Sequence, residues 1–285
     1  MKHVSTLIDL LNMEQIDSNL FRGDSAAMGS PIVFGGQVLA QALTAARKTV
    51  PLEREVHSLH GYFILPGDMN KPIIFNVDTL RDGGSFTTRR VTASQAGAAI
   101  FVMAASFQIP QEGYGHQISM PNVTPPEALQ NWEMLAKEHD KDLNPYFKQF
   151  FMFDRPIEFR PVEWINPAFP TKGRPYKYVW MRAKGEMPQE SFWHRIVLAY
   201  ASDYNLLSTA LLPHGDEVNM LNMQMASLDH AMWFHRDFNM NDWLLYATDS
   251  PSASGARGFT RGNVFTRDGR LVASVTQEGL MRPRK

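Results

Sequence analysis

An α+β fold made twice in one chain is what this sequence predicts: a helix wrapped by a curved antiparallel sheet, then the same unit again beside it. Three observations predict it. The segment Val38-Leu39-Ala40-Gln41-Ala42-Leu43-Thr44 recurs as Val197-Leu198-Ala199-Tyr200-Ala201-Ser202-Asp203. Ser58-Leu59 precedes Gln108 by fifty residues, and Ser227-Leu228 precedes Gln277 by the same fifty. In each half a long apolar helical stretch leads into β-rich runs divided by turn residues, which is the mark of one supersecondary unit repeated.

Taken in order, the first unit opens with a helix near residues 4–13 and a short strand at Leu20-Phe21-Arg22-Gly23. Gly35-Gly36 starts the first long helix, which runs to about residue 48; Gly36, Ala40, Ala42, Ala45 and Ala46 give it a surface that a sheet can approach closely. Strands follow at 55–65, 72–81, 85–94 and 99–108, separated by Pro66-Gly67-Asp68, Asp82-Gly83-Gly84 and Gln95-Ala96-Gly97. Residues 109–155, with Pro110, Pro121, Pro125 and Pro126 and one short helix near 127–139, read as a linker between a first repeat at 1–108 and a second at 156–285. The second repeat places strands at 157–162 and 176–184, a long helix after Pro188-Gln189-Glu190, and strands at 222–234, 244–249, 256–266 and 271–281. Asp268-Gly269 supplies a hairpin turn between the last two.

Composition narrows the function classes. At 285 residues, 44% hydrophobic and 20% charged, the chain can bury a large globular core. A formal net charge of -1 offers no general attraction for nucleic acid or an anionic membrane, so a small-molecule partner is expected. The absence of cysteine excludes disulfides and thiolate chemistry, leaving oxygen, nitrogen or water as nucleophile. The amino terminus lacks the basic start and apolar core of a signal peptide, and no apolar run approaches the roughly 20 residues of a membrane span. The last residues, Arg282-Pro283-Arg284-Lys285, are not a peroxisomal Ser-Lys-Leu address. A cytoplasmic location without membrane insertion is the expectation.

One polar position breaks the repeat. On the second helix Phe192, Ile196, Ala199 and Asp203 fall on one face, so the acid shares an apolar stripe where the first repeat has Thr44. A carboxylate there needs partners, since burying it alone costs several kcal/mol; the plainer account is an acid past the helix end, in solvent. On the last strand alternation puts Val275, Gln277, Gly279 and Met281 on one face, turning Gln277 inward, where its amide can donate and accept together. Met223, Met225, Ser227 and Asp229 share another face by the same count, adding a hydroxyl at Ser227. Each polar group taken singly is also compatible with ordinary backbone hydrogen bonding.

Other motifs are missing or weak. There is no Gly-x-Ser-x-Gly nucleophile elbow and no His-Glu-x-x-His, and His57 with His60 is too little for a metal site, so neither a metal nor a cofactor is expected. The run Gly255 to Gly262 lacks the dinucleotide-loop order, although its Arg257 and Arg261 can meet phosphates; solvated positions or local ion pairs are the simpler account of them. His57, beside Ser58, is the histidine best placed for a binding role.

At these residues the chain resembles the type II acyl-CoA thioesterases, the TesB-like family with a double-hotdog fold. The resemblance spans nearly the whole chain. It is carried by Phe21-Arg22-Gly23, Val33-Phe34-Gly35-Gly36-Gln37-Val38-Leu39-Ala40-Gln41, Thr79-Leu80-Arg81-Asp82-Gly83, the run Ser227-Leu228-Asp229-His230-Ala231-Met232-Trp233-Phe234-His235, and Gln277-Glu278-Gly279. The family's catalytic Asp, Thr or Ser, and Gln fall on Asp203, Ser227 and Gln277. Ser here keeps the hydroxyl that Thr supplies elsewhere. The resemblance implies hydrolysis of a fatty acyl-CoA by directly attacking water, without an acyl-enzyme, in a homodimer or homotetramer. Two other readings are the alternatives: a hotdog enoyl-CoA hydratase, which would need an Asp paired with a nearby His that the sequence does not show, and a non-catalytic acyl-CoA-binding protein, against which the retention of all three polar groups argues.

Overall fold

The computed structural model describes residues 1–28, 32–168, 170–218 and 220–284. Helix α1 (Val4–Leu11) leads into the hairpin β1 (Glu14–Asp17) and β2 (Leu20–Gly23), then α2 (Gly35–Lys48) and the strands β3 (Glu55–Phe63), β4 (Ile73–Asp82), β5 (Phe86–Gln95) and β6 (Ala98–Gln108). After a 3-10 turn, α3 (Trp132–Glu138) and α4 (Pro145–Met152) fill the connecting stretch. The second half comprises β7 (Ile157–Pro161), β8 (Tyr176–Ala183), α5 (Ser191–Ser202), a 3-10 segment (Leu207–His214), β9 (Met223–Ser227), β10 (Asp229–Phe234), β11 (Leu244–Ser254), β12 (Arg257–Thr266) and β13 (Leu271–Pro283). Helix α4 was not anticipated; its Asn144 side chain caps the Tyr146 amide, and Phe147 and Phe151 are buried in the core.

The strands form one antiparallel sheet in the order β1-β2-β4-β5-β6-β3-β10-β13-β12-β11-β8-β7. Read outward from the β3–β10 seam, both halves follow the same order. At the seam Gly61 pairs with His230 and Leu59 with Met232. The hairpins that follow match as well: Gly97 and Gly269 both adopt the left-handed conformation, with φ of 83° and 88°. Beside them Ser94 pairs with Ala99 in the first half, as Phe265 pairs with Leu271 in the second.

Helices α2 and α5 lie antiparallel against the sheet. The start of α2 meets the end of α5, where a Cβ on Gly36 would collide with the Tyr200 carbonyl oxygen. At the opposite ends the Arg47 guanidinium sits 5.3 Å from the centre of the Phe192 ring. Leu39, Leu43, Ile196 and Leu198 join Phe75 and Phe101 in a continuous core that crosses both halves. No helix among the described residues is long and apolar enough to cross a membrane.

The expected strand at 222–234 is broken. Ser227 pairs with Gly279, but Ala231 pairs with Thr276, so the register slips by one residue at Leu228. Leu228 fills the break by donating its amide to the Glu278 carbonyl and accepting from the Phe63 amide, both at 2.9 Å. The bulge inverts the alternation beyond it. Asp229 therefore does not continue the face of Met223, Met225 and Ser227; His230 turns into the core instead, fully buried.

Candidate active site

Asp203 is the residue that ends α5. It lies at the helix terminus but is not in solvent, for its side chain is only 7% exposed. Two elements close on it. The first turn of α2 abuts its carboxylate, since a Cβ at Gly35 would stand 2.8 Å from Oδ2. Glycine at this position lets the positive end of the α2 dipole face the charge. From β13 the Gln277 amide donates from Nε2 to Asp203 Oδ1 at 2.9 Å.

The rest of the network fixes how Gln277 points. Its Nε2 also lies 3.1 Å from His230 Nδ1, and His230 Nε2 lies 2.9 Å from the Ser202 hydroxyl, which donates to the Ala199 carbonyl at 2.8 Å. With the serine proton committed to Ala199, His230 must donate from Nε2 and accept at Nδ1. Burial pushes the His230 imidazole down to about 4, with the nearby Asp203 only partly opposing this, so the ring is neutral near pH 7. Both amide protons of Gln277 are thereby used, and its carbonyl oxygen Oε1 is left buried without a partner among the described residues. An acceptor in that state, beside a carboxylate, can accept a hydrogen bond from a water.

Asp203 opens onto a cavity of about 320 Å³. Its wall is largely apolar, with Trp132, Phe147, Phe151, Trp164, Leu211 and Met225 among the lining residues. The polar groups on it include Ser227, Lys177, Asn205 and Ser208. Ser227 thus shares the cavity with Asp203, although no hydrogen bond among the described residues joins its hydroxyl to Asp203 or Gln277. The proline-rich stretch read as a linker supplies one side of this wall through α3 and α4.

The other residues singled out in the sequence lie elsewhere. His57, half-buried on β3, bonds the Ser106 hydroxyl at 2.8 Å, and burial together with Arg195 lowers its basicity. Arg257 pairs with Glu278 at 3.0 Å, and Arg261 grips Asp249 through two hydrogen bonds of 3.0 and 2.6 Å; both are exposed on β12. None of the three lines the cavity. Conversely, sequence reasoning found no histidine beside the acid, yet His230 Nδ1 is 3.9 Å from Asp203 Oδ1. The signal that was needed is the bulge, which ordinary alternation cannot show. Enclosed in the core and bonded at both nitrogens, this imidazole orients Gln277 and does not meet the cavity.

Comparison with known proteins shows the family and the fold. The acyl-CoA thioesterase N-terminal domain model matches residues 23–108, and the acyl-CoA thioesterase model matches residues 147–280. The chain is 41% identical over 279 residues to acyl-CoA thioesterase 2 of Haemophilus influenzae, covering 98% of each. The crystal structure of acyl-CoA thioesterase II TesB2 from Mycobacterium marinum is similar with a TM-score of 0.81 at 40% identity, covering 98% of this chain and 99% of that one. A hot dog fold protein from Alicyclobacillus acidocaldarius, at 20% identity and a TM-score of 0.78 over 98% of this chain and 99% of that one, shares the fold alone. Fold and relatives together define a double-hotdog α+β enzyme of the thioester hydrolase class. The chain belongs to the acyl-CoA thioesterase family.

Proposed function

We propose that this enzyme hydrolyses fatty acyl-CoA to a free fatty acid and CoA by direct attack of water on the thioester. Asp203 accepts the water's proton, and the carbonyl oxygen of Gln277 and the hydroxyl of Ser227 hold the water against it. The observation that carries this reading is the 2.9 Å bond from Gln277 to a nearly buried carboxylate at the end of an apolar cavity. The cavity's aromatic and aliphatic wall suits an acyl chain. A general base contributes typically about 10²- to 10⁴-fold, and a fixed water adds the advantage of orientation. Oxygen attack at the thioester carbon forms the tetrahedral intermediate, whose collapse breaks the C–S bond; the proton held by Asp203 passes to the departing sulfur, so CoA leaves as the thiol, the carboxylate is regenerated and no enzyme nucleophile is required.

In the same reading the first repeat, 1–108, serves as scaffold, and the second, 156–285, carries the chemistry. A homodimer or homotetramer accords with a sheet whose two ends, β1 and β7, are edges of the strand order, and the cytoplasm is its proposed location. The test is thiol release from acyl-CoAs of short to long chain by wild type and Asp203→Asn. The variant is expected to lose about 10²- to 10⁴-fold in kcat/KM while keeping its melting temperature. Normal turnover by a folded Asp203→Asn would remove Asp203 from its role. Tight acyl-CoA binding by wild type with no thiol release at any chain length would establish a binding protein instead.

A further inference from the structure

Asn205 stands two residues beyond Asp203 with φ of 68°, in the left-handed region. The other non-glycine residues with positive φ, Ala96 and Ala256, sit in hairpin turns, whereas Asn205 follows the end of α5. Its backbone is locked there. The Asn205 carbonyl accepts from Lys177 Nζ at 3.2 Å, from the Ser208 hydroxyl at 3.1 Å and from the Thr209 hydroxyl at 3.3 Å. Lys177 also donates to the Ser208 hydroxyl at 2.6 Å, while the Thr209 hydroxyl meets Thr248 Oγ1 at 3.0 Å. Such a closed polar network over-determines a conformation that most residues avoid, and strain of this kind gathers at functional sites.

The side chain is in the opposite state. Its amide nitrogen Nδ2 is buried and has no hydrogen-bond partner among the described residues. Several other side-chain atoms share that condition, including those of Ser25, Glu55 and Gln277, but among them Asn205 alone lines the cavity. If the turn were the sole requirement, glycine would adopt it freely and leave no idle donor. Meanwhile none of the side chains given a role in the proposed reaction is assigned to the substrate oxygen: Asp203 only accepts, both Gln277 protons are committed, and the Ser227 hydroxyl is given to the water.

We propose that Asn205 is a substrate-contacting residue, whose side-chain amide donates to a carbonyl oxygen of the bound acyl-CoA, either that of the thioester or that of a pantetheine amide. This rests on the assignment of Asp203 above. Lys177 acts through Asn205 as a positioning residue, pinning the turn that holds this residue at the cavity wall.

The test compares Asn205→Gly, which keeps the left-handed turn and deletes the donor, with Asn205→Asp, which keeps the shape and replaces the donor by an acceptor. Both are expected to lose at least about tenfold in kcat/KM with melting temperatures within a few degrees of wild type. A fall in kcat identifies the thioester oxygen, which gains charge in the transition state; a rise in KM with kcat unchanged identifies the pantetheine carbonyl. Wild-type kinetics in folded Asn205→Gly overturns the proposal, because a residue needed only for the turn tolerates glycine. Should that variant fail to fold, wild-type kinetics in Asn205→Asp overturns it equally. Asp203→Asn is run in parallel: full turnover there breaks the catalytic reading itself, whereas loss there with active Asn205 variants breaks the present inference alone.

Discussion

The two halves of the sheet share a frame but fill it differently. Counted from the matched turns at Gly97 and Gly269, Ala105 occupies on β6 the place that Gln277 occupies on β13. On the strands of the seam, Leu59 pairs with Ala105, while His230, next to the Ala231–Thr276 pair, faces Gln277. In the matched helical segments Thr44, inside α2, stands where the second half has Asp203 at the end of α5. The first half thus closes these positions with Thr44, Leu59 and Ala105, all buried, and the Thr44 hydroxyl is satisfied within its own helix by the Ala40 carbonyl at 2.8 Å. The second half holds a carboxylate, an amide and an imidazole in equivalent space. Apolar packing of the first kind stabilises with no conditions attached, whereas a buried polar chain is tolerable only when its members satisfy one another. The contrast shows where the second half keeps a buried polar chain that the first half does without.

The sharpest way to break the contrast is to make the second half resemble the first. Gln277→Ala removes the donor shared by Asp203 and His230 and the acceptor offered to water. The expected loss is about 100-fold in kcat/KM, or about 2.7 kcal/mol of transition-state stabilisation, read from steady-state thiol release. A fall in melting temperature should accompany it, since the carboxylate then lacks its amide partner. Activity within about threefold of wild type would show that the amide is only a structural filler.

His230→Leu probes the same contrast through pH. The folded imidazole titrates near 4 and the unfolded one near 6.5, so between these values the unfolded chain binds the extra proton. Stability from keeping the ring neutral is therefore complete above about pH 6.5 and is lost as pH falls, by about 1.4 kcal/mol per unit, until about pH 4. Urea unfolding of wild type across this window should show that slope in excess of the slope in His230→Leu. Parallel pH profiles for the two proteins would mean that His230 is not held neutral in the core.

These differences also mark what could be read in the chain beforehand. The two long helices and the hairpins were legible because apolar periodicity and turn glycines are local signals. Asp203 was legible as the unmatched acid of a repeat, and Gln277 as an inward position on an uninterrupted strand. Matching Gln108 to Gln277 by their fifty-residue spacing was misleading. Gln108 follows the fully buried Phe107 and so turns to the other face, whereas Gln277 is buried. Spacing counts residues, but the loops and bulges between strands decide which side a residue takes. His230 was hidden for the same reason, by one slipped residue at Leu228. Asn205 was hidden because its importance lies in a backbone angle and an idle donor, and neither is written in residue type.

The smallest effect is expected from Thr44→Val, and its smallness is informative. Valine keeps the branched shape and loses only a hydroxyl whose partner, the Ala40 carbonyl, lies inside the same helix. Removing a bond of this local kind should change unfolding free energy by no more than about 1 kcal/mol, measured by denaturant titration. If the first half is scaffold, kcat/KM should stay within about twofold of wild type, because Thr44 belongs to no polar chain that reaches the cavity. A tenfold fall without a matching loss of stability would overturn the division of labour, since it would mean that the helix of the silent half feeds the chemistry of the other. The experiment is decisive because the two outcomes separate in activity while agreeing in stability.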